Sequence, residues 1–165
     1  MKLTSVNEVL TFAIRKEADA AAFYRMAAER SNPGVKKAFE ELAREEDGHK
    51  KKLEALDLKK LERVKMKPAK GPAEGTSQGP AEGPSQGMGI AEMFSDVPYS
   101  SDMSYAELLR MAIKNEVASH TLYTSAAEAV SESGVKKVLL DFAKEESKHK
   151  MRLEKIYDED VLQEF

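Results

Sequence analysis

The chain has 165 residues, of which 41% are hydrophobic, and this length suits one domain that buries a sizeable core. Its 29 acidic and 26 basic residues are mixed along the sequence and leave a net charge of −3, which argues against nucleic acid as a partner. The chain contains no cysteine, so disulfides, thiolate nucleophiles and thiolate-bound metal centres are excluded.

The first predicted element is a helical hairpin over residues 5–64. Ser5 and Glu8 fit a capping box, and apolar residues then recur at helical spacing up to residue 29. The tetrapeptide SNPG at 31–34 ends this helix, and the short turn predicts that the next helix runs antiparallel to it. The buried stripe of the second helix is predicted to comprise Phe39, Leu42, Leu53, Leu56 and Leu61.

Residues 67–101 are predicted to form a linker. The segments GPAEGTSQ and GPAEGPSQ are a tandem repeat that neither supports a helix nor buries a core. A Gly-rich segment of this length can run from one end of a helical bundle to the other. This favours a bundle in which the second and third helices are parallel and joined by one long crossover.

The second predicted hairpin, over residues 104–157, repeats the first. Ser104 and Glu107 form the same capping pattern, and the tetrapeptide SESG separates the two helices. The halves align throughout, with one inserted residue at the turn of the second half. The stripe of the fourth helix is predicted to comprise Val138, Leu139, Phe142, Leu153 and Ile156. Residues 1–165 are therefore predicted to be a single domain of two helical hairpins.

The motif Glu-Glu-x-x-His occurs once in each half, at residues 45–49 and 145–149. In both copies the second glutamate and the histidine continue the apolar stripe, whereas Glu45 and Glu145 fall off it and are interpreted as solvated. The first and third helices each contribute one inward-facing glutamate, at equivalent positions of the repeat. The predicted metal ligands are therefore Glu17, Glu46, His49, Glu116, Glu146 and His149.

Four carboxylates in the middle of one bundle would repel each other until protons or cations neutralised them. Two divalent metal ions would cancel that charge. One Glu from each of two helices plus Glu-x-x-His from each of the others is a recurrent pattern of carboxylate-bridged di-metal sites in four-helix bundles. Oxygen-rich sites with one imidazole per metal suit iron or manganese. The alternative is a metal-free bundle whose buried polar groups hydrogen-bond to one another.

Three further side chains lie close to these ligands in the sequence. Tyr24 and Tyr123 each follow an inward glutamate by seven residues, so each hydroxyl could reach a ligand carboxylate or a substrate oxygen, or simply pack at the edge of the core. His120 follows Glu116 by four residues and is either a ligand or proton carrier or a hydrogen-bonded core histidine. Tyr24 and His120 are the candidate catalytic residues.

With these motifs the sequence resembles the rubrerythrin-like branch of the ferritin-like di-iron carboxylate superfamily, over residues 5–64 and 104–157. The resemblance implies an all-α, ferritin-like four-helix bundle with a long crossover between helices two and three. It also implies two iron ions, each bound by one histidine, with manganese as the other metal that suits the ligands. The implied bridging carboxylates are Glu46 and Glu146, and the implied terminal ones are Glu17 and Glu116.

The chain departs from the rubrerythrin pattern at two points. Rubrerythrins usually carry a second glutamate in the third helix, at the position of Ser119, and they commonly append a rubredoxin domain with four cysteines. The resemblance therefore implies an oxidoreductase that reduces hydrogen peroxide or O2 with electrons from an external donor protein. The alternatives are a ferroxidase that stores or delivers iron and a non-catalytic metal-binding bundle.

Partners and location are also predicted from the sequence. We expect a homodimer, and the linker would allow the two halves to exchange between protomers in a domain-swapped form. No apolar run reaches the roughly 18–20 residues that cross a bilayer, and the first residues lack the pattern of a secretory signal. We therefore expect a cytoplasmic protein without a membrane partner.

Overall fold

The computed structural model describes residues 5–56 and 102–162, which fold into four helices. The helices are α1 (Val6–Arg30), α2 (Pro33–Glu54), α3 (Tyr105–Ala129) and α4 (Ser133–Asp160). The prediction of an all-α bundle is confirmed. The predicted linker and the predicted end of the second helix, including Leu61, lie outside the described residues. Of the described helices, none combines the length and the apolar character needed to span a membrane.

Capping boxes begin α1 and α3, as the sequence predicts. The Ser5 Oγ accepts from the Glu8 N–H at 3.2 Å, and the Ser5 N–H donates to the Glu8 carboxylate at 3.3 Å. The Ser104 Oγ accepts from the Glu107 N–H at 3.2 Å, and the Ser104 N–H donates to the Glu107 carboxylate at 2.8 Å. These bonds satisfy N–H groups that have no partner within the helix, so they fix where each helix begins.

The directions of the helices follow from contacts between the two hairpins. In each hairpin a short turn makes the helices antiparallel, with α1 packed on α2 and α3 packed on α4. Tyr24 of α1 contacts Glu116 of α3, while Tyr123 of α3 contacts Glu17 of α1, so α1 and α3 are antiparallel as well. Since α2 and α3 are both antiparallel to α1, they run parallel to each other. This is the predicted ferritin-like topology.

Apolar side chains form two clusters, one near each end of the bundle. One cluster includes Val9, Leu10, Leu53, Leu122, Leu139 and Phe142. The other includes Tyr24, Phe39, Leu42, Leu109, Ala112 and Leu153. The described stripe residues lie in these clusters as predicted, and Leu56, Val138 and Ile156 pack against them partly buried. The ionisable residues of the predicted site lie between the two clusters, where the bundle is shielded from water at both ends.

Gly48 lies inside α2, next to His49, and its repeat counterpart is Lys148. A Cβ added at Gly48 would meet no atom within 4 Å among the described residues. Glycine inside a helix costs roughly 0.5–1 kcal/mol relative to alanine. We therefore expect Gly48→Ala to raise the free energy of unfolding by about that amount in a chemical denaturation experiment. A lower free energy of unfolding would show that glycine is needed at this position.

Candidate metal centre

The structure brings the six predicted ligands together in the middle of the bundle. Each of their side chains is at most 3% exposed: Glu17, Glu46, His49, Glu116, Glu146 and His149. The two Glu-x-x-His pairs form the centre of this group, because one potential ligand atom from each of the four side chains lies within 4.8 Å of the others. The glutamates of α1 and α3 complete the group from the opposite side of the bundle.

Each histidine turns its Nδ1 atom towards a different set of carboxylate oxygens. The His49 Nδ1 lies 3.0 Å from an oxygen of Glu46, 3.0 Å from an oxygen of Glu146 and 3.4 Å from an oxygen of Glu17. We refer to this nitrogen and the three carboxylate oxygens around it as the His49 position. Glu46 therefore lies between the two histidines, because its other oxygen is 3.0 Å from the Nδ1 of His149.

The second set surrounds the Nδ1 of His149 and is the His149 position. It comprises the second oxygen of Glu46 at 3.0 Å and an oxygen of Glu116 at 3.8 Å. The two imidazole rings are stacked, with centroids 5.3 Å apart and planes inclined by 15°. The arrangement is that of two adjacent cation positions that share Glu46.

The two buried tyrosines cross from one hairpin to the other. The hydroxyl of Tyr24 donates to the Oε1 of Glu116, and the hydroxyl of Tyr123 donates to the Oε1 of Glu17. Each tyrosine thus orients the glutamate of the opposite helix. The Oε2 of Glu17 is left facing the Nδ1 of His49, whereas the Oε1 of Glu116 lies near both the Tyr24 hydroxyl and the Nδ1 of His149. The spacing of seven residues placed both tyrosines near the site but did not show that the contact is between helices. A catalytic role for Tyr24 stays a prediction.

Glu45 and Glu145 have a role that the sequence interpretation missed. Both are half exposed, at 46% and 41%, but each accepts a hydrogen bond from the Nε2 of the histidine on the opposite helix. The bond from His149 to Glu45 measures 2.7 Å, and His49 makes the equivalent bond to Glu145. Because the Nε2–H of each ring donates to the outer glutamate, the lone pair on Nδ1 is the one left to bind a metal. The doubled glutamate of the motif was the signal that could have indicated this role.

Arg152 provides a further contact on the outer side of this pair. Its guanidinium donates to both oxygens of Glu45, at 3.0 and 2.9 Å. Partial burial raises the pKa of Glu45, but the hydrogen bonds from Arg152 and His149 outweigh it and leave that pKa below its usual value. Glu45 is therefore a charged carboxylate held between an imidazole and a guanidinium.

His120 is placed outside the group of carboxylates. Its Nδ1 hydrogen-bonds to the backbone carbonyl of Ala143 in α4 at 2.7 Å. Since a carbonyl only accepts, the Nδ1 carries the proton and the ring bridges α3 and α4. This contact corresponds to the alternative of a hydrogen-bonded core histidine. Its role as a proton carrier stays a prediction.

The donor set fits divalent metal ions because it has more buried negative charge than the described residues neutralise. One oxygen each of Glu17, Glu116 and Glu146 is buried without a hydrogen-bond donor among the described residues. Buried polar atoms normally have a partner, so three unpaired oxygens around one point indicate a cation site. Oxygen ligands with one imidazole per position suit iron or manganese.

Burial also shifts the acid–base behaviour of the centre. Burial, reinforced by neighbouring Glu46, raises the pKa of Glu17 to about 8. Burial and the charges of Glu46 and Glu17 raise the pKa of Glu146 to about 7. Burial lowers the pKa of His49, but the carboxylates of Glu146, Glu17 and Glu46 beside its ring outweigh this effect and raise that pKa. In the absence of metal, protons thus replace part of the missing positive charge.

These shifts predict how the stability of the metal-free protein depends on pH. A carboxyl group whose pKa is higher in the folded state stabilises the fold fully below its unfolded pKa, and this stability is lost as pH rises to the folded pKa. For Glu17 the window runs from about 4.5 to about 8. The raised pKa of His49 acts in the same direction above its unfolded value of 6.5. We therefore expect the melting temperature of the chelator-treated protein to fall from pH 5 to pH 9.

The matched variant for this prediction is Glu17→Gln, which keeps a hydrogen-bond acceptor for Tyr123 but carries no charge. Its melting temperature should fall less steeply over the same pH range, and at pH 9 it should exceed that of the metal-free wild type. Equal slopes in the two proteins would contradict the assignment of the pH dependence to Glu17.

Comparisons with known proteins agree with this fold. A family model described as rubrerythrin matches residues 8–75 and 107–164. A Thermotoga maritima structure described as a candidate ferritin-like diiron-carboxylate protein is 22% identical, with a TM-score of 0.69 over 98% of this chain and 99% of that chain. A hypothetical protein from Pyrococcus furiosus is 25% identical, with a TM-score of 0.66 over 93% of this chain and 89% of that chain. The comparison with curated proteins gives no match.

Proposed function

Because this chain belongs to the rubrerythrin family, we propose that it is a di-iron carboxylate oxidoreductase that reduces hydrogen peroxide or O2, with peroxide as the preferred oxidant. The observation that carries the proposal is the buried group of four glutamates and two histidines, in which three carboxylate oxygens lack a hydrogen-bond donor among the described residues. Two bound iron ions would supply Lewis acidity and the electrons that convert peroxide, with two protons, into two molecules of water.

The residues divide between the two iron positions according to the contacts of the histidines. Glu17 and His49 would hold one ion, and Glu116 and His149 would hold the other. Glu46, which has one oxygen near each histidine, would bridge them. Glu146 is the second bridging candidate by its equivalent place in the repeat, and it lies 3.0 Å from the His49 Nδ1.

The tyrosine hydroxyls are proton donors beside the centre. Tyr24 and Tyr123 lie almost completely buried, at 2% and 1% exposure, and each donates to a terminal glutamate. Burial and the charge of the nearby glutamates raise the pKa of both hydroxyls well above the usual value, so both stay protonated at neutral pH. In the proposed reaction they hold Glu116 and Glu17 in place, and Tyr24 positions a proton for the departing water.

The surrounding core would restrict side reactions. The apolar clusters at each end of the bundle limit the access of water and the escape of reactive oxygen species from the centre. The chain has no cysteine with which to hold a second iron centre, so the reducing electrons are proposed to come from a separate donor protein.

The proposed function is tested by stopped-flow measurement of peroxide loss. The protein is loaded with Fe(II) without oxygen, freed of unbound iron by desalting and mixed with peroxide. We expect the wild type to consume peroxide at least about 100-fold faster than Glu46→Ala, which lacks the carboxylate between the two histidines. Glu54→Ala, which changes an exposed glutamate of the same helix, serves as the control and should match the wild type. Equal rates in the wild type and Glu46→Ala would refute the proposed function.

A further inference from the structure

The repeat makes the two histidines equivalent, but the surroundings of their outer carboxylates differ. His49 donates to Glu145, and His149 donates to Glu45. Among the described residues, Glu145 has no partner other than this histidine, whereas Glu45 is shared with Arg152. The two halves therefore differ in that Glu45 has a second partner, Arg152.

Arg152 is the residue that breaks the symmetry of the repeat. Its guanidinium binds Glu45 through two hydrogen bonds, at 3.0 and 2.9 Å, and lies 3.5 Å from an oxygen of Glu41. The position equivalent to Arg152 in the first half is Lys52, which is exposed and makes no ion pair with Glu145 in the described part of the chain. Arg152 makes both bonds to Glu45 through Nη1 and reaches Glu41 with Nη2, whereas a lysine has only one nitrogen to donate.

The contact with Arg152 should weaken His149 as a metal ligand. A carboxylate that accepts the outer N–H of a ligating histidine increases the basicity of the inner nitrogen, and loss of such a partner typically costs 10–100-fold in metal affinity. Arg152 competes for the electron density of Glu45 and so reduces this effect at His149.

We propose that Arg152 is a positioning residue that makes the two metal positions unequal, so that the His49 position fills first and the His149 position holds the more weakly bound ion. This inference rests on the proposed function only in requiring that the centre binds metal. The expected difference in affinity is about tenfold, at the lower end of the effect of removing an outer carboxylate, because Glu45 is shared and not lost.

The test is to locate one equivalent of manganese in the full chain. Manganese(II) suits the same oxygen and imidazole ligands and does not oxidise readily during crystallisation. Anomalous difference maps recorded at the manganese edge give the occupancy of each position separately. A tenfold difference in affinity gives an occupancy at the His49 position about three times that at the His149 position.

Two matched variants separate the contact of Arg152 from its charge. Arg152→Gln should bring the two occupancies close to one another, whereas Lys52→Gln removes one positive charge at the equivalent position and should leave the threefold preference unchanged. Glu145→Gln provides a second route to the same result if Arg152→Gln does not fold, because it weakens His49 and should also reduce the preference. Circular dichroism establishes that each variant is folded.

The outcomes distinguish this inference from the proposed function. Equal occupancies in the wild type, an unchanged preference in Arg152→Gln, or an equal effect of Lys52→Gln would each overturn the inference and leave the peroxidase proposal standing. Absence of manganese from both positions would overturn the inference together with the metal centre.

Discussion

Glu146→Ala is expected to remove at least one of the two metal ions and to lower the rate of peroxide reduction by at least about 100-fold. The carboxylate of Glu146 is 2% exposed, and one of its oxygens lies 3.0 Å from the His49 Nδ1 without a hydrogen-bond donor among the described residues. Replacing it takes away a ligand that no neighbouring side chain in the described structure can supply. Metal analysis after desalting and stopped-flow kinetics would measure both effects.

The adjacent residue provides a demanding control for this prediction. Glu145 contacts His49 through the outer nitrogen and is 41% exposed, so Glu145→Ala should weaken metal binding by roughly tenfold and leave two ions bound at saturating metal. Alanine substitutions at these two neighbouring glutamates are thus expected to differ strongly in their effect on metal binding. Equal losses in the two variants, or full metal content in Glu146→Ala, would contradict the roles assigned to them.

Loading with Fe(II) or Mn(II) is expected to raise the melting temperature by roughly 8–16 °C. A ligand present at 1,000 times its dissociation constant stabilises the folded state by about 4 kcal/mol, and about 1 kcal/mol shifts the melting temperature of a domain of this size by roughly 2–4 °C. The physical cause is relief of repulsion among four buried glutamates. Differential scanning calorimetry of the chelator-treated and metal-loaded protein would measure the shift.

Glu17→Gln should make the metal-free protein more stable and should reduce the stability gained on loading with metal. Without metal, the variant has one fewer buried carboxylate and is expected to be more stable than the wild type at pH 9. With metal, it lacks one ligand charge and should gain less on loading. A loading shift that is unchanged in Glu17→Gln would contradict a role for this glutamate in holding metal.

The sequence predicted the fold because several local signals agree. The two capping boxes begin α1 and α3, and the apolar stripes of α2 and α4 pass through the second glutamate and the histidine of each motif. Periodicity of this kind depends only on helical geometry, so it could place Glu46 and His49 on the buried face without knowledge of the tertiary structure. The inward orientation of Glu17 and Glu116 followed from the same reasoning.

The contacts between hairpins could not be predicted in the same way. Tyr24 reaches Glu116 and His149 reaches Glu45 because α1 is antiparallel to α3 and α2 is antiparallel to α4. These pairs lie far apart in the sequence, and their register depends on how the two hairpins pack. The helical pattern alone predicts a solvated Glu45, because it records only which face a residue lies on. A half-exposed residue can still hydrogen-bond to a buried ring.

The central claim is that the buried glutamates and histidines form a centre for two metal ions. Its most direct test is an anomalous difference map, recorded at the iron edge, from crystals of the iron-loaded protein. Two peaks are expected inside the bundle, one beside the Nδ1 of His49 and one beside the Nδ1 of His149, with Glu46 between them. A map with no peak among these residues, or with iron bound only at the surface of the bundle, would contradict it.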